Sequence, residues 1–297
     1  MRVVVTGSLG HISRPLTQAL VKKAQVVTVI SSKPEKQKDI EALGARAAIG
    51  SLEDGDFLAS TFTGADAVYC MVPPNYHADG AIDPRAFYNT VGHQYAKAIR
   101  QAGVRRVIHL SSIGAHLEKG AGIVQGSYDV ENIFKALPSE VSITFLRPAS
   151  FYYNLYAFIP AIKNAGVIAS NYGESDKMAW VSPLDIADSV VEEVETPFTG
   201  RKVRYVASEE RTCNEVAGIL GAAIGKPDLK WVIISDEQLL SRLRGAGVPP
   251  MVAGGLVEMN ASIHKGVFQE DYFRNRPALG KVKLADFAKD FAKLYNA

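Results

Sequence analysis

The residues of this 297-residue chain best suited to chemistry come within its first thirteen: Val5-Thr6-Gly7-Ser8-Leu9-Gly10-His11-Ile12-Ser13. A β-branched run enters two glycines three residues apart, and a run with helical periodicity leaves them. Gly7 permits a sharp turn off a strand, and Gly10 lets the backbone approach a phosphate. The helix that follows aims unpaired N–H groups and its positive dipole end at that anion. The spacing therefore predicts a pyrophosphate cradle over residues 7–13, with Gly7, Leu9, Gly10, His11 and Ile12 around it. His11 is either a contact to the pyrophosphate or a variable position in the turn. Ser13 stands where a third small residue lets helix and strand pack closely. A Gly-x-x-Gly alone is weak; between a strand and a helix, at the head of a βαβαβ run, it signals a dinucleotide.

The end of the second strand chooses between dinucleotides. An NAD site places a carboxylate there, about 20 residues on, to accept from the ribose 2′-hydroxyl. This chain offers Ser31-Ser32-Lys33 instead, with no Asp or Glu. Two hydroxyls and an ammonium suit a 2′-phosphate, so NADP(H) is the expected cofactor. Lys33 would pair with the phosphate, Ser31 and Ser32 would hydrogen-bond it, and Arg14 is a candidate second cation. The bland alternative makes Lys33 a solvated loop residue.

The elements that must hold these residues alternate regularly. Strands are expected at 1–6, 26–30, 45–49, 67–72, 107–110 and 142–146, with helices at 10–23, 34–43, 53–62, 87–102 and 128–137. That order implies parallel βαβ units, hence a doubly wound parallel sheet of the Rossmann kind. Residues 1–150 form this domain, and 151–297 a smaller C-terminal α/β cap that binds substrate. Elements near 183–207 are expected to return to the sheet. In the cap, helices are read at 154–163, 183–193, after Thr212, and at 237–244, 251–267 and 284–295, with strands at 179–181, 203–207 and 229–234. The polar loop 75–85, including His77, is a candidate rim of the cleft.

Composition excludes several classes. Apolar residues make up 47% and charged residues 22%, values of a globular protein with a substantial core. The net charge of +2 carries no basic block for nucleic acid or a membrane surface. Cys70 and Cys213 make no disulfide framework, and no His, Cys or carboxylate cluster has metal-ligand spacing. No leader or membrane span is apparent, so a cytoplasmic protein is expected, monomer or homodimer, with a small molecule as its partner.

With these pieces in order, the sequence resembles the NmrA-like branch of the atypical short-chain dehydrogenase/reductases. The resemblance covers nearly the whole chain. It rests on Val5 to Gly10, on Gly50-Ser51-Leu52-Glu53-Asp54, and on Pro73-Pro74. It continues with Leu110-Ser111-Ser112-Ile113-Gly114-Ala115, Leu146-Arg147-Pro148, and Trp180-Val181-Ser182-Pro183-Leu184-Asp185-Ile186-Ala187. It implies that Ser51 and Leu52 lie near adenine, that Val72, Pro73 and Pro74 run along the dinucleotide, and that Ser111, Ser112 and Pro148 to Phe151 lie near nicotinamide. The family usually has Asp where Ser51 stands. Asp185 is expected to cap or anchor a helix start.

Classical members of that superfamily use Ser with a Tyr-x-x-x-Lys pair, the Lys acidifying a Tyr that donates a proton as hydride arrives. Here Ser111 and Tyr128 are the catalytic candidates, yet Asn132 stands four residues beyond Tyr128. If Glu131 is aligned with the family's helix glutamate, the Tyr and Lys positions become Ile123 and Ser127. Neither register supplies the pair. Hydride transfer to an acceptor needing little acid help follows: a quinone, an azo or triarylmethane dye, or a flavin. Protonation would then come from water, Tyr128, Tyr152 or Tyr153. The aromatic run Phe151-Tyr152-Tyr153, with Tyr156 and Phe158, would either wall a planar acceptor or pack the core. The alternative function is a non-catalytic NADP(H)-sensing regulator that binds a partner protein. A nucleotide-sugar epimerase relative is disfavoured by the missing base.

Overall fold

The computed structural model describes residues 1–74 and 83–297, so the expected rim at His77 lies outside the described residues. The strands are β1 (Arg2–Val5), β2 (Val26–Ser31), β3 (Arg46–Ile49), β4 (Ala67–Met71), β5 (Arg106–Leu110) and β6 (Ser142–Pro148). After them come β7 (Ser150–Phe151), β8 (Val167–Ser170), β9 (Lys177–Val181), β10 (Arg201–Val206), β11 (Glu209–Thr212) and β12 (Lys230–Ile233). The first helices are α1 (Ser13–Lys22), α2 (Gln37–Ala42), α3 (Gly55–Phe62), α4 (Pro84–Ala102), α5 (Gln125–Lys135) and α6 (Ile159–Ala165). The later ones are α7 (Pro183–Glu195), α8 (Cys213–Ala223), α9 (Asp236–Gly245), α10 (Pro250–His264), α11 (Glu270–Arg274) and α12 (Leu284–Asn296).

Among the described residues, seven strands make one parallel sheet in the order β10-β6-β5-β4-β1-β2-β3. The chain winds outward from β1 through β2 to β3, then crosses back to β4 and winds the other way. The reversal between β1 and β4 is the switch point at which open α/β sheets bind ligands. The near-continuous apolar strands are explained by cover on both faces. On one face lie α1 and α7, with Leu16, Leu20, Ile186 and Val190 fully buried. On the other lie α3, α4 and α5, with Leu58, Phe62, Tyr95, Ile99 and Phe134 fully buried. The first core continues into the C-terminal part through Trp180, Trp231, Tyr272 and Phe291.

Five helix starts among the described residues are fixed by side chains. Asp54 accepts from the N–H groups of Asp56 and Phe57, Asp83 from Arg85, and Thr212 and Ser235 form reciprocal capping boxes with Glu215 and Gln238. The start of α7 decides between the two roles expected of Asp185. Ser182 is the cap, whereas the buried Asp185 accepts from the Ser208 hydroxyl and from the N–H groups of Lys281 and Val282. Asp185 therefore anchors the start of α7 to the turn at Ser208 and to the segment before α12. Residues 154–163 are not one helix either. A 3₁₀ stretch over Tyr152–Phe158 precedes α6, where Pro160 sits in the first turn and cannot continue a preceding ladder. Strands β7, β8 and β11 and helix α11 were not foreseen, since each is short and the strands find their partners far along the chain.

Candidate functional site

At the carboxyl end of β1 the backbone turns through Gly7, at φ +89°, and Ser8, at φ +54°. A Cβ on Gly7 would lie 2.8 Å from the Ser13 hydroxyl and 3.0 Å from the Met71 sulfur, so conformation and space both demand glycine. The turn is pinned from below. Ser13 Oγ donates to the Thr6 carbonyl at 2.8 Å, as its small, buried side chain was expected to allow, and Thr6 Oγ1 accepts from the Met71 N–H at 2.9 Å. It is pinned from the side by the Ser8 N–H on the Ile30 carbonyl at 3.0 Å and by Ser8 Oγ on Ser31 Oγ at 2.9 Å. Helix α1 starts at Ile12 without a side-chain cap. The N–H groups of Leu9, His11 and Ile12 find no acceptor among the described residues. Three unpaired amides at a helix N-terminus, beside a glycine whose Cβ position is already filled, fit the pyrophosphate of a dinucleotide.

Around the turn, Ser31 is buried, and its oxygen also accepts from the Lys33 N–H at 3.1 Å. Ser31 therefore shapes the strand end, while Ser32 and Lys33 are exposed beside it and Arg14 is exposed on α1. The end of β3 arrives through the Gly50 N–H on the Ser31 carbonyl at 3.0 Å, which brings exposed Ser51 and half-buried Leu52 alongside. Val72 is buried, Pro73 half-buried and Pro74 exposed after β4. His11 stacks on Tyr153, with ring centroids 4.7 Å apart, and Tyr153 lies 5.0 Å from Phe151. The aromatic run thus divides. Phe151 and Tyr153 border the turn, whereas Tyr156 packs on Phe287 and Phe291, and Phe158 on Trp231. Tyr152 is buried, its hydroxyl facing Glu209 Oε2 at 3.4 Å and the Val282 carbonyl at 3.3 Å. Burial first, then the Glu209 charge, push that phenol well above its ordinary range. Tyr152 is a structural anchor and not the proton source expected of it.

The carboxyl ends of β5 and β6 are built differently. Ser111 follows β5, fixed by its N–H on the Leu146 carbonyl at 2.8 Å, and the Ile113 N–H donates to the carbonyl of buried Pro148 at 3.0 Å. Ser111 Oγ donates to Glu131 Oε1 at 2.7 Å. Arg147 grips both oxygens of Glu131, Nε to Oε1 and Nη2 to Oε2, each at 2.8 Å. Lys135 adds a contact at 3.4 Å. Arg147 Nη1 also reaches the Tyr205 hydroxyl at 3.0 Å and Asp271 at 3.1 Å, and Tyr205 donates to Asp271. Burial pushes the Glu131 carboxyl up, but hydrogen bonds and charge from Arg147, with the Ser111 hydroxyl, hold it below its ordinary value. Beneath this network, buried His109 places Nδ1 3.2 Å from the Cys70 carbonyl, so Nδ1 carries the proton and Nε2 has no partner among the described residues. Burial lowers His109 to about 4.

Tyr128 is half-buried on α5 and makes no hydrogen bond among the described residues. Glu131 is the α5 residue that meets Ser111, and Ser127 lies one turn before it on the same face. Sequence reasoning missed Arg147, Tyr205 and Asp271. One signal was present, since an arginine within the apolar strand run Ile143 to Pro148 requires a buried carboxylate. His264 is exposed and contacts Asp176 at 2.8 Å.

Sheet order, switch point and glycine turn together define a Rossmann-type α/β protein. Within that class the chain belongs to the NmrA-like family, whose model matches residues 1–284. Among characterised relatives, it is 26% identical over 260 residues to an NAD(P)H azoreductase of Xenophilus azovorans, covering 87% of this chain and 86% of that protein. It is 28% identical over 257 residues to a (4-alkanoyl-5-oxo-2,5-dihydrofuran-3-yl)methyl phosphate reductase of Streptomyces griseus, covering 86% and 85%. The fold matches a triphenylmethane reductase of a Citrobacter species, with TM-score 0.79 and 21% identity, over 99% of this chain and 100% of that one. It equally matches an NADPH-dependent quinone oxidoreductase of Escherichia coli, with TM-score 0.79 and 19% identity, over 97% and 99%. No helix among the described residues is long and apolar enough to cross a membrane.

Proposed function

We propose that this chain is an NADPH-dependent reductase that passes a hydride to a quinone, dye, flavin or similarly conjugated small molecule. The bound cofactor would supply the hydride. The protein's own residues hold and orient it. The amides of Leu9, His11 and Ile12 take the pyrophosphate, exposed Ser32 and Lys33 take the 2′-phosphate with Arg14 as a second cation, and Ser31 fixes that strand end. Ser51 and Leu52 border adenine, Val72, Pro73 and Pro74 line the middle, and Ser111, Pro148 and Phe151 border the nicotinamide.

The carrying observation is the account of protons at the Ser111 end. The Ser111 proton goes to Glu131 and Tyr152 is locked to Glu209 and Val282. Tyr128 has uncharged Asn132 four residues on, where the classical pair has Lys. Neither Ser111 nor Tyr152 has a proton to spare, which suits an acceptor that needs little acid help. The family and the reductase names of its relatives support the same reading.

The test is NADPH oxidation followed against quinones, azo and triarylmethane dyes and flavins. Turnover with at least one class, with NADPH preferred over NADH, is expected. Tight cofactor binding with no turnover across the panel would overturn the reductase and favour a cofactor-sensing regulator.

A further inference from the structure

We propose that Glu131 fixes the Ser111 hydroxyl as a hydrogen-bond acceptor toward the cleft, so that Ser111 orients the nicotinamide carboxamide through an N–H and gives no proton to substrate. This rests on the reading of the groove as an NADP(H) site and concerns how its reactive end is aligned.

A serine hydroxyl has one proton to give and two lone pairs to offer. Ser111 Oγ lies 2.7 Å from a carboxylate oxygen of Glu131, which is 0% exposed, and donates its proton to it. That carboxylate cannot reprotonate or swing away easily. Arg147 holds it through two parallel bonds of 2.8 Å, and Tyr205 and Asp271 in turn hold Arg147. Turning the Ser111 proton outward would exchange a charge-assisted bond for a neutral one and leave Glu131 Oε1 with one donor fewer, in a place water does not reach. The Ser111 backbone is equally fixed, by its N–H on the Leu146 carbonyl at 2.8 Å. What Ser111 can show the cleft is therefore a lone pair.

A lone pair recognises a donor. A quinone carbonyl, an azo nitrogen or a flavin ring nitrogen awaiting hydride is an acceptor and gains nothing from Ser111. The carboxamide of nicotinamide carries two N–H groups, and holding one of them sets the face that the ring presents. Glu131 and Arg147 are then positioning residues. They never touch the cofactor, and they act by deciding which way a hydroxyl points.

The experiment is calorimetric titration of the full chain with NADP⁺, with its 3-acetylpyridine analogue, whose methyl ketone lacks the N–H, and with 2′,5′-ADP. The unaltered protein is expected to bind NADP⁺ about tenfold more tightly than the analogue, the usual yield of one such bond. Ser111→Ala should bind the two alike, by weakening NADP⁺ alone. Glu131→Gln removes the charge that holds the Ser111 proton, so the preference should shrink or vanish. Binding of 2′,5′-ADP should be unchanged throughout. If Glu131→Gln does not fold, the Ser111→Ala titrations decide alone, because that variant keeps the Glu131–Arg147 pair. Equal binding of NADP⁺ and its analogue by the unaltered protein, or a preference that survives Ser111→Ala, overturns the proposal while 2′,5′-ADP binding keeps the NADP(H) reading. Failure of the unaltered protein to bind 2′,5′-ADP overturns that reading itself.

Discussion

The carboxyl ends of β1 and of β5 are built from opposite materials. At the Gly7 end the contacts on offer are main-chain amides, held by hydroxyls of Thr6, Ser8, Ser13 and Ser31 that come from the first two strands, the turn between them and helix α1. At the Ser111 end they are side chains in a buried ionic network that reaches from Ser111 to Asp271. Backbone amides cannot be substituted away and need only small residues around them. A buried network tolerates no missing partner. The first end should therefore fail by steric or charge changes that leave the fold standing, and the second by loss of the fold itself.

The largest effect is expected at the network. Arg147→Leu leaves Glu131 buried without its main partner, at a cost of about 3–5 kcal/mol in urea unfolding, and a combined Glu131→Leu, Arg147→Leu chain should recover most of it. A single variant as stable as the double would remove the contrast. Acid should weaken the same end. His109 takes its proton at 6.5 when unfolded and at about 4 when folded, so between those values the unfolded chain binds more protons. Stability is then complete above pH 6.5 and falls as pH drops toward 4, by up to about 3 kcal/mol from this group. The unfolding free energy of His109→Phe should fall less over that window, and parallel pH curves for the two proteins would refute the assignment.

At the other end, Gly7→Val should cut NADPH affinity about 100-fold, since its Cβ would crowd Ser13 and Met71, while circular dichroism remains that of a folded protein. The smallest change is expected from Lys33→Asp. NADPH affinity should drop about tenfold with NADH untouched, measured by titration of both, because the lost ion pair is solvent-exposed. Equal losses for the two cofactors would deny Lys33 its phosphate.

The same contrast explains what could be read from the chain itself. Gly7, Gly10 and Ser13 sit within one turn and carry their chemistry in their spacing, so the strand, the turn and the helix were all legible there. The alternating first half was legible too, because buried parallel strands are apolar throughout and the helices between them keep their period. Ser111 was found as a residue, but not its partner. Glu131 lies 20 residues away and Arg147 another 16, and nothing local in either neighbourhood says that they meet. Tyr152 misled for the same reason. An aromatic run after a strand looks like a cleft wall until Glu209 and Val282, far along the chain, take its hydroxyl. Short β7, β8 and β11 escaped because strands of two to four residues have no period to show.

Arg147 clasping Asp271, with Phe268 seated where a Cβ on Gly114 would stand 2.4 Å away, has a consequence for how the molecule is made. The glycine turn and its supporting strands leave the ribosome before the edge strand β10, and β10 leaves it before the carboxylate of Asp271. Until they do, β6 has a bare edge and Arg147 lacks one of its anchors. Chains cut short before Asp271 would thus carry a finished glycine turn beside an unfinished Ser111–Glu131–Arg147 network, and should be the ones that chaperones and proteases recognise.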